Sequence, residues 1–166
     1  MALLLLATAP RAQGIDAPNV VPVTELLVTS GQPTADALSR LGAAGFQAVI
    51  YLAPSTVHSA VQEEPALLAK QGIEFVQIPI PFATPSAGHF RTVTAALQRL
   101  KDKKVLVHCE VNMRASSMVF LHRVVTLKDE PASAFAFVTR VWSPRGPWRT
   151  LIEEQLRESG IRFELL

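Results

Sequence analysis

The segment His108-Cys109-Glu110-Val111-Asn112-Met113-Arg114 places the chain's single cysteine five positions before an arginine, directly after the apolar run Val105-Leu106-Val107. A loop that turns straight from a buried strand into a helix aims successive backbone N–H groups at one point, and the helix start adds about half a positive charge. An oxyanion fits there, and the same field favours a thiolate over a thiol. Cys109 is therefore the candidate nucleophile. Arg114 supplies a planar fork that binds two oxygens at once, which a lysine cannot do. The backbone of Glu110, Val111, Asn112 and Met113 is the candidate cradle for the anion. A lone thiol rules out an internal disulfide and the paired-cysteine zinc sites, so the chemistry calls for neither metal nor other cofactor. Free cysteine is also among the most buried residue types, but packing alone does not explain a histidine before it and an arginine after it.

The elements that must position this loop alternate in type. Leu26-Leu27-Val28-Thr29 reads as a strand ending in the turn Ser30-Gly31-Gln32-Pro33, and Thr34 caps a helix running to about Ala44. Ala48 to Leu52 is an unbroken apolar run, the mark of a strand covered on both faces. Ser59 to Gln71 reads as a helix and Glu74 to Ile78 as a strand. Pro79, Pro81 and Pro85 then force an irregular segment, since proline cannot donate a ladder hydrogen bond. Ser86 opens a helix with Phe90, Val93, Leu97 and Leu100 inward. After the Val105 to His108 strand, helical periodicity continues from Arg114 to about Thr126, then over Pro131 to Val141 and Pro147 to Glu158. This pattern predicts an α/β fold of three layers, with a mostly parallel central sheet of four to five strands flanked by helices. Ligands bind such sheets beyond the carboxyl ends of the strands, where Cys109 sits.

The run Val105-Leu106-Val107-His108-Cys109 closing at Arg114 resembles the signature of cysteine-dependent protein tyrosine and dual-specificity phosphatases. The resemblance covers roughly residues 26 to 126: Gly31-Gln32-Pro33-Thr34, the Gly45 to Leu52 strand and Ile78-Pro79-Ile80 take the places they hold in small bacterial members. It implies a phosphatase-like fold and a phosphocysteine mechanism, with Cys109 attacking phosphorus, the loop amides and Arg114 holding the oxygens, and His108 orienting the loop. The substrate so implied is a phosphorylated protein or a small phosphomonoester. Three departures stand out. The family has five residues between cysteine and arginine and this chain has four; the usual loop glycine is missing, with Asn112 the residue most tolerant of left-handed backbone; and Pro79 to Phe90 lacks the aspartate that protonates the leaving group. His89 and Glu110 are the substitute proton donors available. Ala115 stands where the family has the hydroxyl that assists thiolate release, which leaves Ser116 for that role. Weak turnover is the consequence. A four-residue gap also resembles rhodanese-type sulfurtransferases, in which Cys109 would carry a sulfane sulfur from a donor as a persulfide. A silent anion-binding module of the same fold is the third reading.

The remaining features bound the setting. A chain of 166 residues, 49% hydrophobic, is sized for one domain, taken as 15–166, behind an N-terminal stretch 1–14. Met1 to Ala12 is apolar with small residues following it, like the end of a signal peptide, but no lysine or arginine precedes the run. Export to the periplasm or beyond and a cytoplasmic chain with a disordered or misplaced start both remain open. The stretch is too short for stable membrane insertion. With net charge +2 and its one basic cluster at Lys101, Lys103 and Lys104 beside a turn, no nucleic-acid partner is implied. His58 reads as surface, His122 as surface or packing, Met118 as core, and Trp142 and Trp148 as C-terminal packing rather than a substrate lip.

Overall fold

The two unbroken apolar runs become β3 (Ala48–Tyr51) and β5 (Val105–His108), and every residue of both is buried. With β1 (Val21–Pro22), β2 (Leu27–Ser30) and β4 (Glu74–Gln77) they form a five-stranded sheet in the order β1-β2-β5-β3-β4. Only the β1·β2 pair is antiparallel. The chain leaves the slot beside β2 empty on its first pass and returns to fill it with β5. The loop after β5 therefore emerges from the middle of the sheet, between two parallel neighbours, at the carboxyl edge where such folds bind ligands. The computed structural model describes residues 14–165, so the expectation for the N-terminal stretch lies outside the described residues, Gly14 excepted.

Side-chain alternation divides the core into two layers. Val105 and Val107 face one apolar cluster with Phe90, Val93, Met118 and Trp148, while Leu106 faces the other with Leu38, Leu68 and Phe46. The first layer is roofed by α3 (Ala87–Arg99), α4 (Met113–Leu121), α5 (Pro131–Thr139) and α6 (Pro147–Glu158). The second is covered by α1 (Ala35–Ser39) and α2 (Glu64–Ala69). The expected caps form: Thr34 accepts from the Ala37 N–H at 3.1 Å and Ser86 from the His89 N–H at 3.2 Å. Phe90, Val93, Leu97 and Leu100 are all buried as the 3.6-residue period required. Among the described residues no helix is long and apolar enough to cross a membrane.

Three expected elements differ, and one strand is added. The helix expected over Ser59–Gln71 begins only at Glu64, because Pro65 has no N–H and its ring clashes with a preceding carbonyl, so it is tolerated only in a first turn. The helix expected to run from Thr34 to Ala44 stops at Ser39. There Gln71 takes over the backbone, accepting from the Gly42 N–H at 2.8 Å and donating to the Leu38 carbonyl at 2.8 Å. The helix after Arg114 loosens into a π-turn over His122–Thr126. β1, which the sequence pattern did not predict, is an edge strand in which the missing Pro22 N–H costs nothing to the ladder.

The π-turn carries His122, which is buried and hydrogen-bonded to the Thr94 hydroxyl. Burial pushes its pKa down from 6.5 to about 4, opposed only by the negative charge of Asp129. The unfolded chain therefore binds a proton that the folded one refuses. Stability from this group is complete above pH 6.5 and is lost as the pH falls toward 4, by roughly 3 kcal/mol. Urea unfolding of wild type and His122→Gln at pH 7 and pH 4 checks this: the gap between the two proteins should close or reverse at the lower pH.

Candidate active site

The turn from β5 into α4 is tight because Asn112, the residue before the helix, adopts φ 72° and ψ 0°. Asparagine is the residue other than glycine best suited to that backbone, so it replaces the family's glycine. Its side chain also holds the loop down, donating to the Asn19 carbonyl at 2.7 Å and the Thr29 hydroxyl at 3.0 Å. The outer wall is fixed by backbone. The Glu110 carbonyl accepts from the Gln32 N–H at 3.0 Å, Val111 bridges to Gly31, and the Val111 carbonyl accepts from Asn19 Nδ2 at 3.0 Å. In a trans peptide the next N–H points opposite to the carbonyl, so pinning the Glu110 carbonyl on Gln32 sends the Val111 N–H away from that wall. The Asn112 carbonyl accepts from the Ser116 N–H at 2.9 Å, which turns the Met113 N–H outward from the helix start. Met113, Arg114 and Ala115 head the helix, where N–H groups have no intrahelical partner. Gly31 is needed for this closeness: a Cβ there would lie 2.6 Å from the Glu110 carbonyl oxygen.

Cys109 sits at the base, fully buried, its N–H donating to the Ser30 carbonyl at 3.3 Å. Arg114 stands in the first turn of α4 and is only 4% exposed. Its Nε donates to the Ile80 carbonyl at 2.9 Å, its Nη1 donates to Glu110 Oε2 at 2.9 Å, and its guanidinium carbon lies 5.1 Å from the Phe82 ring centre. Ile80 and Phe82 belong to the proline-rich segment that carries the proton donor in the family the sequence resembles. Here that segment grips the arginine instead, and is itself tied to α6 by the Trp148 Nε1–H donating to the Phe82 carbonyl at 2.8 Å. Trp148 is fully buried packing as expected, and Phe82, Trp142 and Trp148 form one aromatic group.

Behind the nucleophile lies a second polar group. Alternation turns His108 to the α2 side of the sheet, where its Nε2 meets Glu64 Oε1 at 2.6 Å and its ring stacks on Tyr51 with centres 4.7 Å apart. The other Glu64 oxygen accepts from Gln32 Nε2 at 2.9 Å. Burial pushes the Tyr51 hydroxyl up to about 12, with the negative charges of Glu64, Glu110 and Cys109 adding and Arg114 opposing. Glu64, missed from sequence, is 2% exposed. The signal that would have found it is Pro65 placing Glu64 at a helix start that faces the carboxyl edge of the sheet.

The structure thus brings together Cys109, His108, Arg114 and the loop residues 110–113. It places the other candidates elsewhere. Ser116 donates to the Met113 carbonyl at 3.3 Å and borders a small cavity with Val23, Thr29 and Arg123, and no hydrogen bond joins it to Cys109. His89 is half-buried at the start of α3, its Nδ1 paired with the Ser86 hydroxyl at 2.9 Å. Among the described residues no three His, Cys, Asp or Glu side chains are grouped as metal ligands.

Residues 15–145 match the family model described as DSP-PTPase phosphatase fused to NAD+ kinase. Comparison with curated proteins gives no match. Among solved structures, a candidate phosphatase (DUF442) from Shewanella putrefaciens CN-32 is similar at 26% identity, covering 92% of this chain and 98% of that one with a TM-score of 0.77. The fold is shared at 19% identity by the core catalytic domain of the PP-IP phosphatase SIW14 from S. cerevisiae, which covers 89% of this chain and 94% of its own at a TM-score of 0.67. It is also shared at 14% identity by PTPMT1 in complex with PI(5)P, over 85% of this chain and 96% of that one, with a TM-score of 0.67. A match over this span, on a chain whose cysteine loop closes on a buried arginine, means that the protein belongs to this DSP-PTPase family and so to the cysteine-dependent dual-specificity and tyrosine phosphatase superfamily.

Proposed function

We propose that the chain hydrolyses phosphomonoesters through a phosphocysteine intermediate on Cys109. The observation that carries this reading is the inward-held Arg114, buried at the far end of a loop that starts at a buried cysteine and runs into a helix N-terminus. In the proposed reaction a phosphoryl group displaces the Glu110 carboxylate from Arg114 and binds the guanidinium and the loop amides. The Cys109 thiolate attacks phosphorus, the S–P bond forms as the P–O bond to the leaving group breaks, and the departing oxygen takes a proton. Water then attacks phosphorus, the S–P bond breaks, and phosphate leaves with the thiolate restored. The freed Glu110, adjacent to the nucleophile and about one-third exposed, takes a proton from solvent once it leaves Arg114, and is placed better than His89 to pass that proton to the departing oxygen and to take one back from the attacking water.

The relatives support the phosphoryl reading over sulfur transfer or a silent module. SIW14 is a PP-IP phosphatase and PTPMT1 was solved with PI(5)P, so polyol phosphates belong in the test panel beside phosphotyrosine and aryl phosphates. The test is phosphate release by the wild type, with the acid-quenched protein carrying one phosphoryl group on Cys109. Thiosulfate-to-cyanide sulfur transfer without phosphate release would overturn the proposal. Glu110→Gln is expected to lower kcat on alkyl phosphates by about a hundredfold, the scale of a positioned acid, and to leave nitrophenyl phosphate nearly unchanged because that leaving group needs no proton. Equal loss on both substrates would remove Glu110 from the role and turn attention to His89→Asn.

A further inference from the structure

The Glu64 carboxylate is buried, with Gln32 and His108 as its side-chain hydrogen-bond partners. Gln32 donates to one oxygen and His108 Nε2 to the other, at 2.9 and 2.6 Å, and both His108 and Glu64 are essentially sealed from water. An isolated buried carboxylate is costly, and a contacting histidine is the group that can neutralise it. Tyr51 on β3 stacks on the His108 ring, and the charges that act on its hydroxyl are Glu64 itself, Glu110 and Cys109 on the loop and Arg114 on α4; the neutral Gln32 from the turn after β2 completes the contacts of Glu64. Tyr51 titrates only at about 12, and Arg114 is engaged by Glu110 and Ile80. That leaves His108 to balance Glu64. His108 Nδ1 is buried with no hydrogen-bond partner, on the residue that immediately precedes the nucleophile.

We propose that Glu64 is a positioning residue that acts through His108, holding it as an imidazolium in a charge-compensated buried pair whose positive end lies next to Cys109. The inference rests on the reading of Cys109 as the nucleophile and adds to it the residue that sets the charge behind the sulfur. A carboxylate this close to a thiolate would otherwise oppose it. Paired with an imidazolium it contributes no net charge, and the positive member is the one covalently adjacent to Cys109. Glu64 also ties α2 and the Gln32 turn to the base of the loop, so one side chain fixes both the ring's orientation and its protonation.

The test needs no substrate, so it stands apart from failure of the phosphatase reading. Nitrogen NMR of the wild type across pH 6 to 9 should show both His108 ring nitrogens protonated, and a neutral His108 at pH 7.5 would overturn the proposal. In Glu64→Gln, one His108 ring nitrogen should lose its proton at pH 7.5, and iodoacetamide should label Cys109 several-fold more slowly at neutral pH. Unchanged or faster labelling in a folded Glu64→Gln protein would mean that the carboxylate burdens the thiolate rather than serving it, which also overturns the proposal. The wild-type spectrum decides the matter if that variant fails to fold.

Discussion

Cys109→Ser is expected to reduce phosphate release from aryl phosphate by at least about ten-thousandfold while leaving the anion site able to bind. The loss is large because the serine oxygen, at neutral pH, is neither ionised by the helix start nor matched in nucleophilicity to a thiolate. Binding survives because the groups that hold the oxygens are Arg114 and backbone N–H groups, none of which the substitution removes. Stability should fall by no more than about 2 kcal/mol, the cost of enclosing a hydroxyl where Cys109 is fully buried. Initial rates together with equilibrium binding of aryl phosphate to the variant check both halves. A variant that turns over at a tenth of the wild-type rate would show that the sulfur is not the nucleophile.

How much of this was legible beforehand depends on how local each signal is. β5 and its exit at Cys109 could be read because an apolar run of four followed by turn residues admits few structures, and α6 matches the expected Pro147–Glu158 because Pro147 and the residues after Glu158 mark both ends. The helix expected over 59–71 starts late because the steric demand of Pro65 acts locally and confines it to a first turn. The Ser39 end of α1 depends on Gln71, which lies 29 residues from the Gly42 it binds and cannot be paired with it by spacing. Glu64 is a more instructive omission. Its two partners, Gln32 and His108, lie 32 and 44 residues away, and the three meet only because the sheet order inserts β5 between β2 and β3. The short loop shows the opposite case: the absence of glycine looked like a defect, and Asn112 answers it with positive φ and two side-chain hydrogen bonds that a glycine could not make.

The second large effect is expected from Arg114→Lys, which keeps the charge and removes the fork. Arg114 commits Nε to the Ile80 carbonyl and Nη1 to Glu110, and in the proposed reaction the phosphoryl group takes the place of Glu110 on that fork. A lysine ammonium is a single point of charge on a flexible stem and cannot hold the proline-rich segment and a phosphoryl group together. The substitution should therefore lower kcat/KM on aryl phosphate by about a thousandfold, the range found when a positioned donor to a developing anion is lost. It should also free the segment around Ile80, seen as faster amide exchange from Ile80 to Thr84 with the exchange of β5 unchanged. The two readouts separate the roles. If kcat/KM falls but exchange does not, Arg114 serves the phosphoryl group alone and Trp148 suffices to hold the segment through Phe82. If exchange rises while kcat/KM barely changes, charge at this position is enough for the anion, and the planar geometry serves the fold rather than the chemistry.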